Sequence, residues 1–302
     1  MGKLLRLTRP QFMLASLALF IIGAAWAIIL GAPASLPRML LGYLIILAAH
    51  LSNSFSNDCF DMEADRLGSP TLFSGGTGTL VKHPELRMPA MWISMALTVC
   101  SLVLGILFLV QYSYPIWFLG LVVVGNLLSW FYSAPPLRLA YRGLGEVSTA
   151  FIAGCLVPGM GYMVTRGYVN RDGLLFTIPL VLYALAFILV VEIPDVEADR
   201  LGHKKTWVAQ KGRGFGFTAA GSLLLVATGL FFYLPYLQPH AFALDFRILG
   251  YFSLLPLGPG ILGMLKRPLD RQTATRLVTW MIIALAVFFM LTDIYMVSAA
   301  TR

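Results

Sequence analysis

Charged residues are scarce in this sequence of 302 residues. Lysine, arginine, aspartate and glutamate together make up 12% of the chain, whereas hydrophobic residues make up 58% and the mean hydropathy is +0.80. A soluble domain usually carries about a quarter charged residues. The composition therefore excludes an ordinary soluble protein and indicates an integral membrane protein.

Cysteine is also rare, with three residues in or beside apolar segments and none at a metal-site spacing. Such cysteines are usually small buried hydrophobic residues, so no disulfide framework is implied. His50, His83 and His203 lack metal-ligand spacing as well. The net charge is +8, but the basic residues lie in short loops between apolar runs. Membrane orientation explains that placement better than nucleic-acid binding does.

Apolar runs of about 20 residues, the length that a transmembrane helix needs, dominate the rest of the chain. The first run has 19 residues, which is too long for the core of a typical signal peptide, so we interpret it as a retained span. We expect an all-α integral membrane protein, a single domain over residues 1–302, with nine transmembrane helices in a bundle. The expected spans are roughly 12–30, 39–58, 89–110, 115–133, 145–165, 174–194, 216–236, 246–264 and 276–298.

The positions of lysine and arginine predict how these spans are oriented. If all nine segments cross, 17 of the 22 basic residues lie on the same side as the N-terminus. Because cytoplasmic loops are enriched in these residues, we expect a cytoplasmic N-terminus in a multi-pass plasma-membrane protein. Two loops on that side, 66–88 and 200–215, are the longest. We expect them to form caps over an active site that faces the cytoplasm.

The first of these loops follows an acidic motif at residues 57–68, Asn-Asp-Cys-Phe-Asp-Met-Glu-Ala-Asp-Arg-Leu-Gly. At about 100° per residue, Asp58, Asp61 and Asp65 fall within about 60° on one helix face. Three acids on one face repel each other unless a cation offsets their charge, and a divalent metal ion is the obvious candidate.

A second acidic motif, Asp195–Gly202, repeats Asp61–Gly68 with one change, Met to Val, 134 residues later. Glu192 corresponds to Asp58. The offset covers about four helices, and an even number keeps both motif helices running in the same direction. We therefore expect two parallel-related four-helix halves plus a ninth helix, with both motifs at one membrane face.

Two acidic faces beside basic loops favour a Mg²⁺-bound diphosphate over a bare ion. Mg²⁺ prefers oxygen ligands and commonly shares phosphate oxygens with a substrate, while lysines and arginines take the remaining phosphate charge. A solvated helix end could explain one acid, but it does not explain two matching sets. A cation transporter is the less favoured alternative, since it predicts midplane acids in inverted repeats, and the nearby basic residues would repel its cargo.

The motif Asn-Asp-x-x-Asp-x-x-x-Asp at 57–65, with Asp-x-x-x-Asp at 195–199, resembles the UbiA-type intramembrane prenyltransferase superfamily. Residues 132–138, Tyr-Ser-Ala-Pro-Pro-Leu-Arg, are similar to the segment after that family's fourth helix, although Arg138 replaces the lysine of a Tyr-x-x-x-Lys-like pattern. The resemblance covers nearly the whole chain. It implies an enzyme that ionises an isoprenyl diphosphate with Mg²⁺, two ions being expected, and passes the allylic carbocation to an apolar or aromatic acceptor within the lipid bilayer.

The resemblance also assigns roles to residues of both motifs and of the cap loops. Asn53 and Arg9 are expected at the acceptor cavity, although Asn53 could equally hydrogen-bond between helices. The implied catalytic residues are Asp58, Asp61, Asp65, Asp195 and Asp199. The expected metal ligands are these five together with Asn57 and Glu192. The expected diphosphate-binding residues are Arg66, Lys82, Tyr132, Arg138, Arg200, Lys204 and Lys205.

The acceptor is suggested by the residues that follow the first motif. Many family members have an Arg-Pro-rich stretch there, whereas this chain has Ser-Pro-Thr-Leu-Phe-Ser-Gly-Gly at 69–76. That stretch is more similar to the menaquinone branch, whose acceptor is dihydroxynaphthoate. Other quinone-precursor aromatics and a glyceryl phosphate lipid remain the alternatives.

Overall fold

The computed structural model describes residues 2–237 and 244–301, and helices are the only regular secondary structure in these two ranges. The nine longer segments are named α1 to α9. They are α1 (Pro10–Ile29), α2 (Leu36–Asp65), α3 (Arg87–Tyr112), α4 (Trp117–Trp130), α5 (Gly145–Arg166), α6 (Arg171–Leu201), α7 (Arg213–Leu237), α8 (Phe246–Phe252 with Leu254–Lys266) and α9 (Arg271–Ala300).

Short helical turns occupy the connections. They are Gly2–Leu5, Arg6–Thr8, Thr79–Lys82, Pro84–Leu86, Leu139–Arg142 and Trp207–Lys211. Two of the long segments are irregular: α5 contains a π-helical turn at Ile152–Leu156, and α6 passes through a 3₁₀ turn at Ile193–Asp195. The second irregularity lies at the second acidic motif, where Pro194 lacks a backbone N–H to donate.

Each predicted apolar segment coincides with one of these helices. In the described ranges, seven helices are long and apolar enough to cross a membrane, or eight if the two parts of α8, bent by 43°, form one span. The α4 helix is apolar but has only 14 residues. An all-helical membrane bundle is therefore confirmed, while nine crossings and the side of the N-terminus stay predictions.

The second predicted span, 39–58, ends before its helix does. Hydropathy falls at Asp58, but α2 continues to Asp65. Loss of apolar character does not interrupt backbone hydrogen bonding, because a helix can present polar side chains as it leaves the apolar layer. As a result, the first acidic motif lies on a rigid helix.

The packing of the bundle brings α2 and α6 to one central space. The α2 helix packs on α3, α4 and α5, the α6 helix packs on α5, α7 and α9, and α1 packs between α5 and α9. The contact of α1 with α5 is especially close, since a Cβ at Gly23 or Gly161 would collide with the facing backbone. Small residues allow such close approach between membrane helices.

Candidate active site

The two acidic motifs contact each other through equivalent residues. A Cβ added to Gly202 would lie 2.8 Å from the Cβ of Ala64, and one added to Gly68 would lie 3.1 Å from the Cβ of Ala198. Gly68 and Gly202 occupy the same position of the sequence repeat, and so do Ala64 and Ala198. The contact is therefore reciprocal, and it brings the acidic ends of α2 and α6 together.

Asp61 of the first motif accepts three side-chain hydrogen bonds. Its Oδ2 accepts from Ser133 Oγ and from Lys204 Nζ, each at 2.9 Å, and its Oδ1 accepts from the Tyr141 hydroxyl at 2.9 Å. Ser133 and Tyr141 belong to the segment between α4 and α5, whereas Lys204 follows α6. Two distant parts of the chain thus converge on one carboxylate of α2.

Lys204 brings a positive charge into the carboxylate cluster, with a side chain only 15% exposed. Burial alone would lower the pKa of its ammonium group, but Asp61, Asp199 and the other acidic groups nearby outweigh this effect and raise the pKa well above its ordinary value. Burial, helped by the adjacent Asp61, raises the pKa of Tyr141 to about 12. At neutral pH Lys204 is therefore charged and Tyr141 neutral, so both donate to Asp61.

Asp58 joins the start of α1 to the loop after α2. Arg9 donates through Nη2 to Asp58 Oδ1, and Thr77 donates to Oδ2 from its hydroxyl at 2.5 Å and from its backbone N–H at 3.3 Å. Arg9 has a left-handed backbone conformation with φ 47°, which costs energy for a residue other than glycine and persists only where the surroundings hold it. Its partner here is a motif carboxylate, so Arg9 lines the charged end of the cavity, and its predicted place beside the acceptor stays a prediction.

The loop 66–88 contacts both motifs. Ser74 donates to Asp195 Oδ1 at 3.2 Å, and Gly76 lies so close to Asp65 that any Cβ would collide with the carboxylate. Only glycine fits there, since its φ of 66° is also left-handed. On the other loop, the Thr206 hydroxyl donates to Asp199 Oδ2 at 3.4 Å. Both loops therefore contact motif carboxylates, and their role as caps stays a prediction.

Most of the basic residues predicted to bind diphosphate lie outside this cluster. Lys204 and Tyr132 line the central cavity. The side chains of the other five, Arg66, Lys82, Arg138, Arg200 and Lys205, are exposed and do not line it. The reason is helical geometry for Arg66 and Arg200, because each follows a motif aspartate by one residue and so points about 100° away from it. Arg66 pairs with Glu63 at 3.2 Å, and Arg200 donates to the carbonyl of Ala209 at 2.5 Å.

The motif carboxylates line one end of a cavity of about 1000 Å³ that continues between α1, α2, α5, α6 and α9. Beyond the carboxylates the lining is mainly apolar, and it extends to Asp293 near the far end of α9. Asn53 and Asn57 line the same cavity, and in the described structure their Oδ1 atoms are buried without a hydrogen-bond donor. The cavity thus combines an acidic mouth with a long apolar interior.

Glu192 also lines the cavity, near Glu146 of α5 and Asp199 of its own helix. Sequence reasoning assigned Glu192 to the metal because it corresponds to Asp58, and it gave no role to Glu146. No spacing pattern links these two glutamates, since they come from different helices.

The donor set fits Mg²⁺ only when the ion is shared with a substrate. Among residues 2–237 and 244–301, no three His, Cys, Asp or Glu side chains are close enough to hold a metal ion alone. Among the predicted ligands, the oxygens still open include the Oδ1 of Asn57, both oxygens of Glu192 and the cavity-lining carboxylates of Asp65 and Asp199. Mg²⁺ usually takes one or two carboxylates plus phosphate oxygens and waters. The residues present therefore suit a magnesium diphosphate.

Solved structures with the same fold include relatives from archaea. A UbiA homologue from Archaeoglobus fulgidus bound to GPP and Mg²⁺ matches 99% of this chain and 100% of its own, with a TM-score of 0.70 and 18% identity. A digeranylgeranylglyceryl phosphate synthase matches over 98% of both chains, with a TM-score of 0.68 and 19% identity. At such low identity these matches establish the fold.

Sequence comparison establishes the family. The 1,4-dihydroxy-2-naphthoate octaprenyltransferase of Bacillus subtilis (strain 168) is 25% identical over 230 residues, which are 75% of this chain and 72% of that enzyme. The pattern of the UbiA prenyltransferase family matches residues 16–292, nearly the whole chain. Together with the apolar helices and the paired acidic motifs, this match shows that the protein belongs to the UbiA prenyltransferase family and is an intramembrane prenyltransferase.

Proposed function

We propose that this enzyme transfers a prenyl group from an isoprenyl diphosphate to an aromatic quinone precursor, with Mg²⁺ as cofactor and an allylic carbocation as intermediate. The observation that carries the proposal is the meeting of two carboxylate sets, with Lys204 and Arg9, at one end of a single apolar cavity. Such a site can hold a charged diphosphate at its mouth and an apolar chain in its interior.

The predicted metal-holding residues come from both motif helices. Bound Mg²⁺ would supply Lewis-acid stabilisation of the leaving diphosphate. The residues that would hold it, two ions being expected, are Asn57, Asp58, Asp61, Asp65, Glu192, Asp195 and Asp199.

The chain's own cations would hold the phosphate oxygens. Without substrate, Lys204 and Arg9 pair with Asp61 and Asp58. When a diphosphate enters with its metal, these two cations can turn from carboxylate to phosphate oxygens, since both groups accept the same charge-assisted hydrogen bonds. Fixed donors placed where negative charge accumulates lower the barrier to breaking the carbon–oxygen bond.

The apolar part of the cavity would protect the carbocation. A prenyl chain that lies between α1, α2, α5, α6 and α9 is shielded from water, which would otherwise quench the cation to an alcohol. The side chains along this path are mainly aliphatic and aromatic. The interior therefore serves both to bind the donor chain and to direct the cation to the acceptor.

The acceptor we favour is dihydroxynaphthoate. Two observations support it: the Ser69–Gly76 stretch that resembles the menaquinone branch, and the Bacillus subtilis relative that is named for this acceptor. A glyceryl phosphate lipid is the second candidate, because the digeranylgeranylglyceryl phosphate synthase has the same fold over nearly its whole length.

We further propose that all nine helical segments cross the bilayer. The N-terminus and both cap loops would then face the cytoplasm at the plasma membrane, where soluble prenyl diphosphates reach the acidic mouth. The basic residues concentrated on that side support this orientation.

An acceptor panel tests the proposal. Purified protein in lipid nanodiscs is incubated with Mg²⁺, a labelled prenyl diphosphate and, separately, dihydroxynaphthoate, 4-hydroxybenzoate or glyceryl phosphate, and the product is identified by mass. We expect a prenylated naphthoate that forms only with Mg²⁺. Transfer to glyceryl phosphate alone would replace the proposed acceptor, and no transfer to any acceptor would contradict the function.

A further inference from the structure

The two motif helices line the central cavity with the same positions of the sequence repeat. Every cavity-lining residue of α2 from Ile46 to Asp65 has its counterpart, 134 residues later, among the lining residues of α6 from Leu180 to Asp199. The register of the repeat is therefore kept along the depth of the cavity and not only at the acidic motifs. The two walls, named here the α2 wall and the α6 wall, can be compared position by position.

The two walls are alike at the acidic mouth and differ further in. At the next four lining positions toward the interior, the α2 wall has polar side chains and the α6 wall has apolar ones. The four residues of the α2 wall are His50, Asn53, Ser54 and Asn57, and their counterparts are Ala184, Phe187, Ile188 and Val191. The repeat thus supplies two walls of equal geometry and opposite chemistry.

The adjoining helices extend this difference. The α4 helix packs on α2 and adds Asn126 and Ser129 to the lining, whereas α9 packs on α6 and lines the cavity with apolar residues between Ile282 and Met290. A prenyl chain along the polar side would cover polar groups that it cannot hydrogen-bond, and that costs free energy. The apolar side therefore suits the prenyl chain and leaves the polar side to a ligand with polar groups of its own.

His50 and Asn53 are open to hydrogen bonds with such a ligand. In the part of the chain that the structure describes, the Oδ1 of Asn53 is buried without a donor and the ring of His50 has no hydrogen-bond partner. Along the helix axis Asn53 lies about 6 Å and His50 about 10 Å further inward than Asn57. A buried polar group without a partner is unfavourable, and a ligand with matching groups removes that penalty.

The opposite face of α2 fixes the direction of these side chains. Ser52 points about 200° away from His50. Its hydroxyl donates to the carbonyl of Ser94 on α3 at 2.9 Å, and the Ser94 hydroxyl donates to the carbonyl of Ser52 at 2.8 Å. Ser101 of α3 also donates to the carbonyl of Ile45 at 3.0 Å. These contacts hold α2 on α3, so His50 is turned toward the cavity before any ligand binds.

We propose that the α2 wall binds the aromatic acceptor, with His50 as a residue that selects it, and that the α6 wall binds the prenyl chain. The inference rests on the proposed function. His50 and Asn53 lie three residues apart, about 4.5 Å along one helix face. That spacing suits two oxygen substituents of one aromatic ring. The amide oxygen of Asn53 accepts a hydrogen bond from a ring hydroxyl, and the imidazole N–H of His50 donates to a second ring oxygen.

The test compares KM for the two substrates in His50→Leu, which removes the hydrogen bonds of the ring and keeps an apolar group in its place. Purified enzyme in nanodiscs is supplied with Mg²⁺, geranyl diphosphate and dihydroxynaphthoate. We expect KM for the naphthoate to rise about tenfold and KM for geranyl diphosphate to change less than about twofold. His50→Gln, which keeps a donor and an acceptor, should recover most of the acceptor affinity. The control is His83→Leu, the same substitution at a histidine that does not line the cavity, and it should change neither KM.

Photolabelling of the wild-type enzyme tests the same assignment without a variant. A photoreactive naphthoate should label the α2 peptide that contains His50, and a photoreactive prenyl diphosphate should label the α6 peptide that contains Ala184. An unchanged acceptor KM in His50→Leu, an equal rise in both KM values, or the reverse labelling pattern would overturn the inference. None of these outcomes affects the proposed function, which fails only if the wild-type protein prenylates no acceptor.

Discussion

At the scale of single residues, the charge balance of the mouth depends on Lys204. Its ammonium group lies 2.9 Å from Asp61 and is the basic side chain that the second cap loop places in the cavity. The neighbouring Lys205 has the same chemistry but is exposed. Substituting each lysine in turn therefore distinguishes the effect of the Lys204 contact on donor binding from the effect of losing one positive charge.

We predict that Lys204→Ala raises KM for the prenyl diphosphate about tenfold or more, since a hydrogen bond to a charged group contributes roughly 1.5–3 kcal/mol. Lys205→Ala and Arg66→Ala should change KM less than twofold. Steady-state kinetics with a water-soluble short-chain donor measure all three. Equal effects of Lys204→Ala and Lys205→Ala would show that general electrostatic attraction, and not this contact, binds the donor.

Sequence reasoning found the carboxylates of the site but not their donors. The aspartates were predictable because three of them share one helix face in an apolar chain and because the motif is repeated. The hydroxyl donors Ser133, Tyr141, Thr77 and Ser74 were not, since each reaches its aspartate from another segment of the chain and carries no charge that would mark it. Five of the residues predicted to bind diphosphate do not line the cavity, because sequence proximity to an acid does not show which way a side chain points.

At the scale of helices, the reciprocal contact of Ala64 with Gly202 and of Gly68 with Ala198 sets the separation of the two motifs. Helix positions were largely predictable from apolar runs. Hydropathy alone does not give the end of α2, which passes the last apolar residues and reaches Asp65, as the helical spacing of its three acids predicts. Nor did hydropathy reveal that α4 is as short as 14 residues or that α8 bends, because both features depend on packing.

We predict that Gly202→Ala destabilises the protein by about 1–3 kcal/mol, the usual cost of overpacking, because its Cβ would lie 2.8 Å from the Cβ of Ala64. Adding Ala64→Gly should restore stability, since it removes the colliding atom. Thermal unfolding in detergent ranks the variants by their melting temperatures. Gly214→Ala is the matched control, because no heavy atom lies within 4 Å of its added Cβ. Failure of Ala64→Gly to rescue the first variant would contradict the proposed contact.

At the scale of the whole molecule, the cavity between α1, α2, α5, α6 and α9 joins a charged mouth to an apolar interior. Ala184 of α6 lines that interior and is 7% exposed. It lies eleven residues before Asp195, about 16 Å along the helix axis. A prenyl chain longer than this distance that extends from the mouth into the cavity would have to pass Ala184.

We predict that Ala184→Phe shifts donor preference toward short chains. The kcat/KM value for geranyl diphosphate should change little, whereas the value for an octaprenyl donor should fall at least tenfold, because the larger side chain blocks the deeper cavity. Because both donors are measured with the same variant, the fraction of correctly folded enzyme cancels from the comparison. An equal fall for both donors would show that the long chain leaves the cavity before Ala184.

The most direct test of the central claim, that both motifs act on one diphosphate, is Mg²⁺-dependent diphosphate release by Asp61→Asn and by Asp195→Asn in detergent. We predict that each variant loses release while it keeps the wild-type melting temperature, and that Glu63→Gln, on the exposed side of α2, retains full activity. Full activity in either aspartate variant would contradict the account.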